Sequence, residues 1–162
     1  MNKPDSLRQH LLQAVPGLAL NPELLSLSIA QGRTAIVQSE TLGFEYRYNL
    51  IVAVSDFGDS LDAIMVPLLA WLARHQPERL RLPTHEALTF EMQTTNTGQI
   101  NATIVLPLTE KVLVETRADG SYTLTYMPEP DYAPGFEGVP DTARLWTLLL
   151  GDATVFDVAP QS

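Results

Sequence analysis

Residues 44–57, FEYRYNLIVAVSDF, alternate in character along their whole length. Phe44, Tyr46, Tyr48, Leu50, Val52 and Val54 fall on one side of an extended chain. Glu45, Arg47, Asn49, Ile51, Ala53 and Ser55 fall on the other. Only a β-strand sorts residues with a period of two. The second side starts polar and turns apolar, so the strand runs from an exposed end into a covered middle. A strand this long needs partners and something to cover its apolar face.

The covering material is helical. PDSLRQHLLQAVPG (4–17) spaces Leu7, Leu11, Leu12 and Val15 on one helical face. Asp5 or Ser6 is placed to cap it, and Pro16-Gly17 to end it. A second helix, capped by Asp59 or Ser60, carries Leu61, Ile64, Met65, Leu68, Leu69, Trp71 and Leu72. Pro67 either bends this helix or opens a separate one. Pro77 pushes Gln76 out of helical geometry, which ends the run near His75.

The remaining segments read as strands. NPELLSLSIAQGRTAIVQ (21–38) predicts a hairpin turning near Gln31-Gly32. Residues 87–108 predict two strands around Asn96-Thr97-Gly98. Residues 110–127 predict two more around Asp119-Gly120. PEPDYAPGFEGVP (128–140) holds four prolines and two glycines and reads as an extended linker. RLWTLLLGDATVFDV (144–158) reads as a last hairpin turning near Gly151-Asp152.

The expected class is α+β: a mainly antiparallel sheet with two principal helices packed on one face, plus a C-terminal hairpin arm. The expected organisation is a core at 1–127, a proline-rich linker at 128–143, and a hairpin arm and tail at 144–162.

Charge narrows the function. The net charge is −9. From Asp119 onward seven acids face one base, Arg144, a balance of −6; the first 118 residues balance at −3. Sequence-specific grip on nucleic acid needs clustered Lys and Arg, so it is not expected. No apolar run reaches bilayer length, and the N-terminus lacks the plan of a signal peptide, so no membrane role is expected and a cytoplasmic chain is the default. There is no cysteine, hence no disulfide and no thiolate metal site.

Catalytic patterns are missing as well. No phosphate-binding glycine loop or nucleophile elbow is present. His10, His75 and His85 stand in no metal-binding spacing. Asp56, Asp59 and Asp62 read as a turn and a helix start rather than a cation loop. No catalytic, metal or cofactor-binding residue is nominated.

Two groups are candidates for subunit contact. Arg74, His75, Arg79 and Arg81 form the dense basic spot, suited either to a helix C-terminus or to an acidic surface on a neighbouring subunit. Leu145, Trp146, Leu148, Leu149, Leu150 and Phe156 make the terminal hairpin apolar. A lone two-stranded hairpin is marginal in water, so these residues pack on their own domain or on a neighbour. The neighbour is preferred.

Four blocks together resemble the tail completion protein R family of temperate contractile-tailed phages: KPDSLR (3–8), NPELL (21–25), FEYRYNLIVAVSDF (44–57) and VPLLAWLARHQPE (66–78). LTEKVLVE (108–115) continues the likeness, and the last hairpin matches more loosely. The resemblance implies a structural protein that closes the head-proximal end of a tail. It would stop tube and sheath polymerisation, offer a surface to a head-completion protein, and form a homo-oligomeric ring of six subunits. It implies assembly in the host cytoplasm and residence at the head-proximal end of the particle. Related headless bacteriocins would use the same component as a collar. Two other classes stay open on the residues alone: an adaptor binding a protein through the hairpin, and a small-ligand module or enzyme, for which no pocket is nominated.

Overall fold

The computed structural model describes residues 1–37, 42–81, 86–129, 147–150 and 153–157, the last two segments by their backbone. The class is α+β. A five-stranded antiparallel sheet has helices on one face, and a second, two-stranded sheet follows.

The alternating segment forms β2 (Leu42–Phe57). It pairs on one side with β1 (Leu25–Val37) and on the other with β4 (Ile100–Thr116). β3 (Thr89–Thr94) and β5 (Tyr122–Tyr126) share the far edge of β4, one at each end. Even-numbered residues of β2 and β4 face the helices. Tyr48, Leu50, Val52 and Val54 lie opposite Leu108, Leu106, Ile104 and Ala102, and all eight are buried.

Helix α1 (Lys3–Ala14) lays Leu7 and Leu11 on this surface, and the short α2 (Pro16–Leu20) adds Leu18. Helix α3 (Asp62–His75) adds Ile64, Leu68, Trp71 and Leu72. A one-turn α4 (Glu78–Arg81) follows. Burying residues of this size is worth about 1.5–3 kcal/mol each, and that drives the helices onto the sheet.

Several expectations need correction. Gln31-Gly32 is not a hairpin turn. β1 runs straight through it, and the register against β2 slips between Ala30 and Arg33, so two residues oppose one. Gln31 has φ of 53°, the left-handed twist that such a β-bulge demands. The 100–116 region is one strand, not two, despite Pro107. α1 starts at Lys3 with Asn2 before it, and neither Asp5 nor Ser6 caps it. α3 starts at Asp62, so Asp59 and Ser60 precede it without capping it. Pro16-Gly17 ends α1 as expected but also opens α2. Pro67 lies inside one continuous α3, which ends at His75 as expected.

The turns at 95–98 and 117–120 are present, with Gly98 and Gly120 at φ of 82° and 81°. The terminal hairpin forms as β6 (Thr147–Leu150) and β7 (Ala153–Asp157), and Leu150 pairs with Ala153. The turn expected between them lies outside the described residues. So does the linker from Pro130 on.

Candidate functional site

The sheet's two halves are unlike, and the boundary between them holds most of its polar chemistry. Between β3 and β5, no strand among the described residues pairs with the far edge of β4 from Leu106 to Lys111. The Lys111 carbonyl accepts from Met127 N at 2.9 Å, so odd-numbered residues of β4 direct their backbone groups to this edge. Pro107, which has no N–H, therefore sits where no strand asks for one. Thr109 is next. Its N–H donates to Gln76 Oε1 at 3.1 Å, and its carbonyl accepts from Lys3 Nζ at 2.7 Å. Side chains at the start of α1 and just past the end of α3 thus replace a missing strand.

A network grows from this point. Lys3 Nζ also donates to Gln76 Oε1 at 2.8 Å and to Glu129 Oε1 at 2.5 Å. Gln76 Nε2 donates to Thr109 Oγ1 at 2.9 Å and to Glu78 Oε1. Gln76 is fully buried, at 0% exposure. Glu110, only 4% exposed, accepts from Asn2 N at 2.8 Å and from the Tyr48 hydroxyl. Burial, and then the Glu110 carboxylate, push the Tyr48 hydroxyl pKa well above the usual phenol range. Tyr48 therefore serves as a fixed donor that holds Glu110 against the N-terminus of α1.

Beside this network lies a cleft of about 530 Å³, lined by Glu45, Arg47, Glu78, Arg79, Lys111 and Glu129 among others. A second cleft, of about 220 Å³, adjoins it and adds Arg33. The register explains the gathering. Arg33 pairs with Arg47 and Arg47 with Thr109, while Glu45 pairs with Lys111. These residues share the face turned away from the helices, and α4 brings Arg79 round the open edge. Arg47 Nε donates to Glu45 Oε1 at 2.5 Å. Arg33, Arg79 and Lys111 make no ion pair with another described residue.

The predicted basic spot is therefore divided. Arg79 reaches the cleft, and Arg81 closes α4 beside it. Arg74 is exposed on α3. His75 is half-buried and stacks on Trp71 with centroids 4.4 Å apart and planes 7° apart. Its Nδ1 donates to the Trp71 carbonyl at 3.0 Å. Trp71 Nε1 donates to Ser6 Oγ at 3.1 Å, and Ser6 Oγ reaches His75 Nε2 at 3.5 Å. This is a packing role between α1 and α3. The sequence reading missed Arg33, Arg47 and Lys111, which lie far from Arg79 in the chain and meet it only through strand register.

Leu148 and Leu150 lie in β6 and Phe156 in β7, where Leu148 pairs with Phe156. Leu145 and Trp146 lie outside the described residues. His10 Nε2 donates to the Pro67 carbonyl at 2.9 Å, and His85 lies outside the described residues. Among the described residues no group of three or more metal-ligating side chains converges, and no helix is long and apolar enough to cross a membrane.

The arrangement offers charged and apolar surface rather than a reacting constellation. Comparison with known proteins bears on what such a surface is for. Tail completion protein R of Escherichia phage P2 is 37% identical over 132 residues, covering 80% of this chain and 84% of that protein. No solved structure matches. The family model described as P2 phage tail completion protein R (GpR) matches residues 1–130, which include all of the main sheet, the helices and the cleft and stop short of the terminal hairpin. By that match the chain belongs to the P2 phage tail completion protein R family.

Proposed function

We propose that this protein is a structural component of a phage tail that terminates its head-proximal end. The family match over residues 1–130 carries the reading. In this role the chain contacts other tail components, tube and sheath proteins among them, and offers a surface for head joining. It assembles in the host cytoplasm and stays with the tail particle. Copies associate head to tail into a closed ring, six by analogy with tail terminators. In such a heterologous ring each subunit shows one surface to the next and receives another from the one before.

Two features of the chain suit that arrangement. The cleft gathers Arg33, Arg47, Arg79 and Lys111 beside Glu45, Glu78 and Glu129, a concavity of mixed charge on a protein of net charge −9. Its cationic members suit acidic groups of a neighbour, whose last third carries −6. The terminal hairpin, on its proline-rich tether, suits an arm that docks on the adjacent subunit.

Electron microscopy of tails from a producer lacking this gene tests the role. Tubes of uncontrolled length, or tails unfinished at the head-proximal end, are expected. Finished tails of normal length would overturn it. Sedimentation of the purified protein tests the ring, with a closed oligomer expected and a monomer at all concentrations against it.

A further inference from the structure

The main sheet has two lateral edges, and both leave large apolar side chains in solvent. One edge is β1, the other β3. Among the described residues no strand pairs with the outer side of either. From Leu25 to Ala30, β1 carries neither charge nor proline, and its bulge comes only afterwards. Natural edge strands are kept from pairing by charges, prolines or bulges, so a stretch without them is open to a partner strand. β3, Thr89–Thr94, is likewise free of proline, and Glu91 is its single charge. Its Phe90 and Met92 are 53% and 46% exposed, and Ile29 of β1 is 44% exposed. All three lie on the helix-bearing face. Phe90 pairs with Ile104 and Met92 with Ala102, while Ile29 pairs with Leu50.

We infer that β1 of one copy pairs through its outer edge with β3 of the next, so that the sheet continues from subunit to subunit. This contact rests on the self-assembly reading above and names the two edges that meet. Strand direction, backbone and side chains all fit it. Each neighbouring pair in the order β1-β2-β4-β3 is antiparallel, so β1 and β3 run in opposite directions. A head-to-tail ring keeps its copies in one orientation, which sets β3 of the next copy antiparallel to β1. Odd-numbered residues of β4 turn their backbone groups toward the β3 side, as Met127 N on the Lys111 carbonyl shows. Carried across the register, this leaves Phe90, Met92 and Thr94 directing backbone groups outward from β3, and Leu25, Leu27 and Ile29 outward from β1. Arg8 Nη1 donates to the Leu25 carbonyl at 2.8 Å and closes that end of the edge. Phe90 then falls opposite Ile29 and Met92 opposite Leu27, with backbone bonds at both pairs. These four side chains share one face, so the register that joins the backbones also joins the apolar groups. A groove beside α1, lined by Pro4, Arg8, Leu27 and Ile29 among others, gives the incoming Phe90 and Met92 a surface to cover. An edge of this length is a small contact, and it acts beside the terminal arm rather than in its place.

The chain has no cysteine, so introduced thiols report on this pairing alone. Ser28 falls opposite Glu91, and both are exposed on the face away from the helices. They form a non-hydrogen-bonded pair, whose Cα atoms approach to about 4.5 Å, within reach of a disulfide. Within one chain the same two residues stand three strand spacings apart, about 14 Å, which no disulfide spans. Full-length Ser28→Cys and Glu91→Cys proteins are mixed and oxidised. Disulfide dimers holding one of each are expected, and the double variant should give a ladder of linked oligomers up to the ring size. A stronger link from Ser26→Cys to Glu91→Cys would keep the edge pairing and move its register by two residues. A companion Ile29→Pro variant removes an outward donor that the single chain's own ladder does not use. It should melt within a few degrees of wild type and need about tenfold more protein to assemble. Ser28→Cys linking to itself would overturn the inference in favour of a two-fold contact between β1 edges. Oligomers that form normally but never link would place the subunit contact elsewhere, overturning the edge pairing and leaving the ring reading standing. A wild-type protein that stays monomeric at all concentrations would overturn both.

Discussion

At the scale of single residues, His75 shows how a side chain that looks like surface chemistry can be structural. Its Nδ1–H is spent on the Trp71 carbonyl, and its other nitrogen faces the Ser6 hydroxyl, so the neutral ring fits the site. Burial holds its pKa below the usual histidine value, helped by the positive charges of Lys3, His10 and Arg74, although the Trp71 carbonyl pulls the other way. His10 is lowered by burial too, and Arg74 adds to this against the pull of the Pro67 carbonyl. The unfolded chain takes up these protons near pH 6.5. Folding stability is therefore fully present above that pH. It declines as pH falls below it, because the unfolded state binds the protons first, and this share is gone once pH passes the folded-state values. Urea midpoints should fall between pH 7.5 and 5.5, and a His10→Asn, His75→Gln double variant should flatten that slope. An unchanged slope in the variant would sink the assignment. The role was hidden in the sequence because Ser6 and His75 meet only when α1 and α3 pack, whereas Arg74 and His75 are adjacent by number and invite a shared reading.

At the scale of elements, the sequence was legible where one segment's own pattern decides the outcome. β2, the core faces of α1 and α3, and the 95–98 and 117–120 turns all follow from local spacing or local turn chemistry. It was misleading where a breaker residue is absorbed by neighbours. Gln31-Gly32 has turn composition, but the pairing of β1 with β2 converts it to a bulge. Pro107 looks like a strand boundary, yet its missing donor points at an edge that no strand among the described residues occupies. The edge needs some other satisfaction, and Gln76 supplies it for Thr109. Replacing Gln76 with Met keeps the volume but leaves the half-buried Thr109 N–H without its acceptor and takes one partner from Lys3. The expected loss is about 2–4 kcal/mol, from one unsatisfied backbone group and one weakened charged bond. A fall of several degrees in the thermal midpoint would register it. A midpoint within a degree of wild type would show that water or a neighbouring group takes over the edge.

At the scale of the whole molecule, the proposed assembly role asks whether folding and assembly draw on different parts of the chain. Among the residues whose side chains are described, every buried apolar one lies between Leu7 and Val114. The last described ties to the core are Met127 N on the Lys111 carbonyl and Glu129 on Lys3. A sequence-based linker starting at 128 would thus cut away the carboxylate that neutralises a buried lysine. The family match ends at residue 130, just past it. A chain ending at Pro130 keeps Glu129 and should unfold in a single cooperative transition, with a thermal midpoint within a few degrees of the full protein. Lacking the arm, it should sediment as a monomer at concentrations where the full chain forms rings. Each outcome carries a distinct meaning. If the shortened chain still closes rings, the charged cleft and the sheet edges hold them and the arm is dispensable. If it fails to fold, the hairpin belongs to its own subunit's core. A folded monomer, by contrast, places the last 32 residues in assembly and the first 130 in the fold.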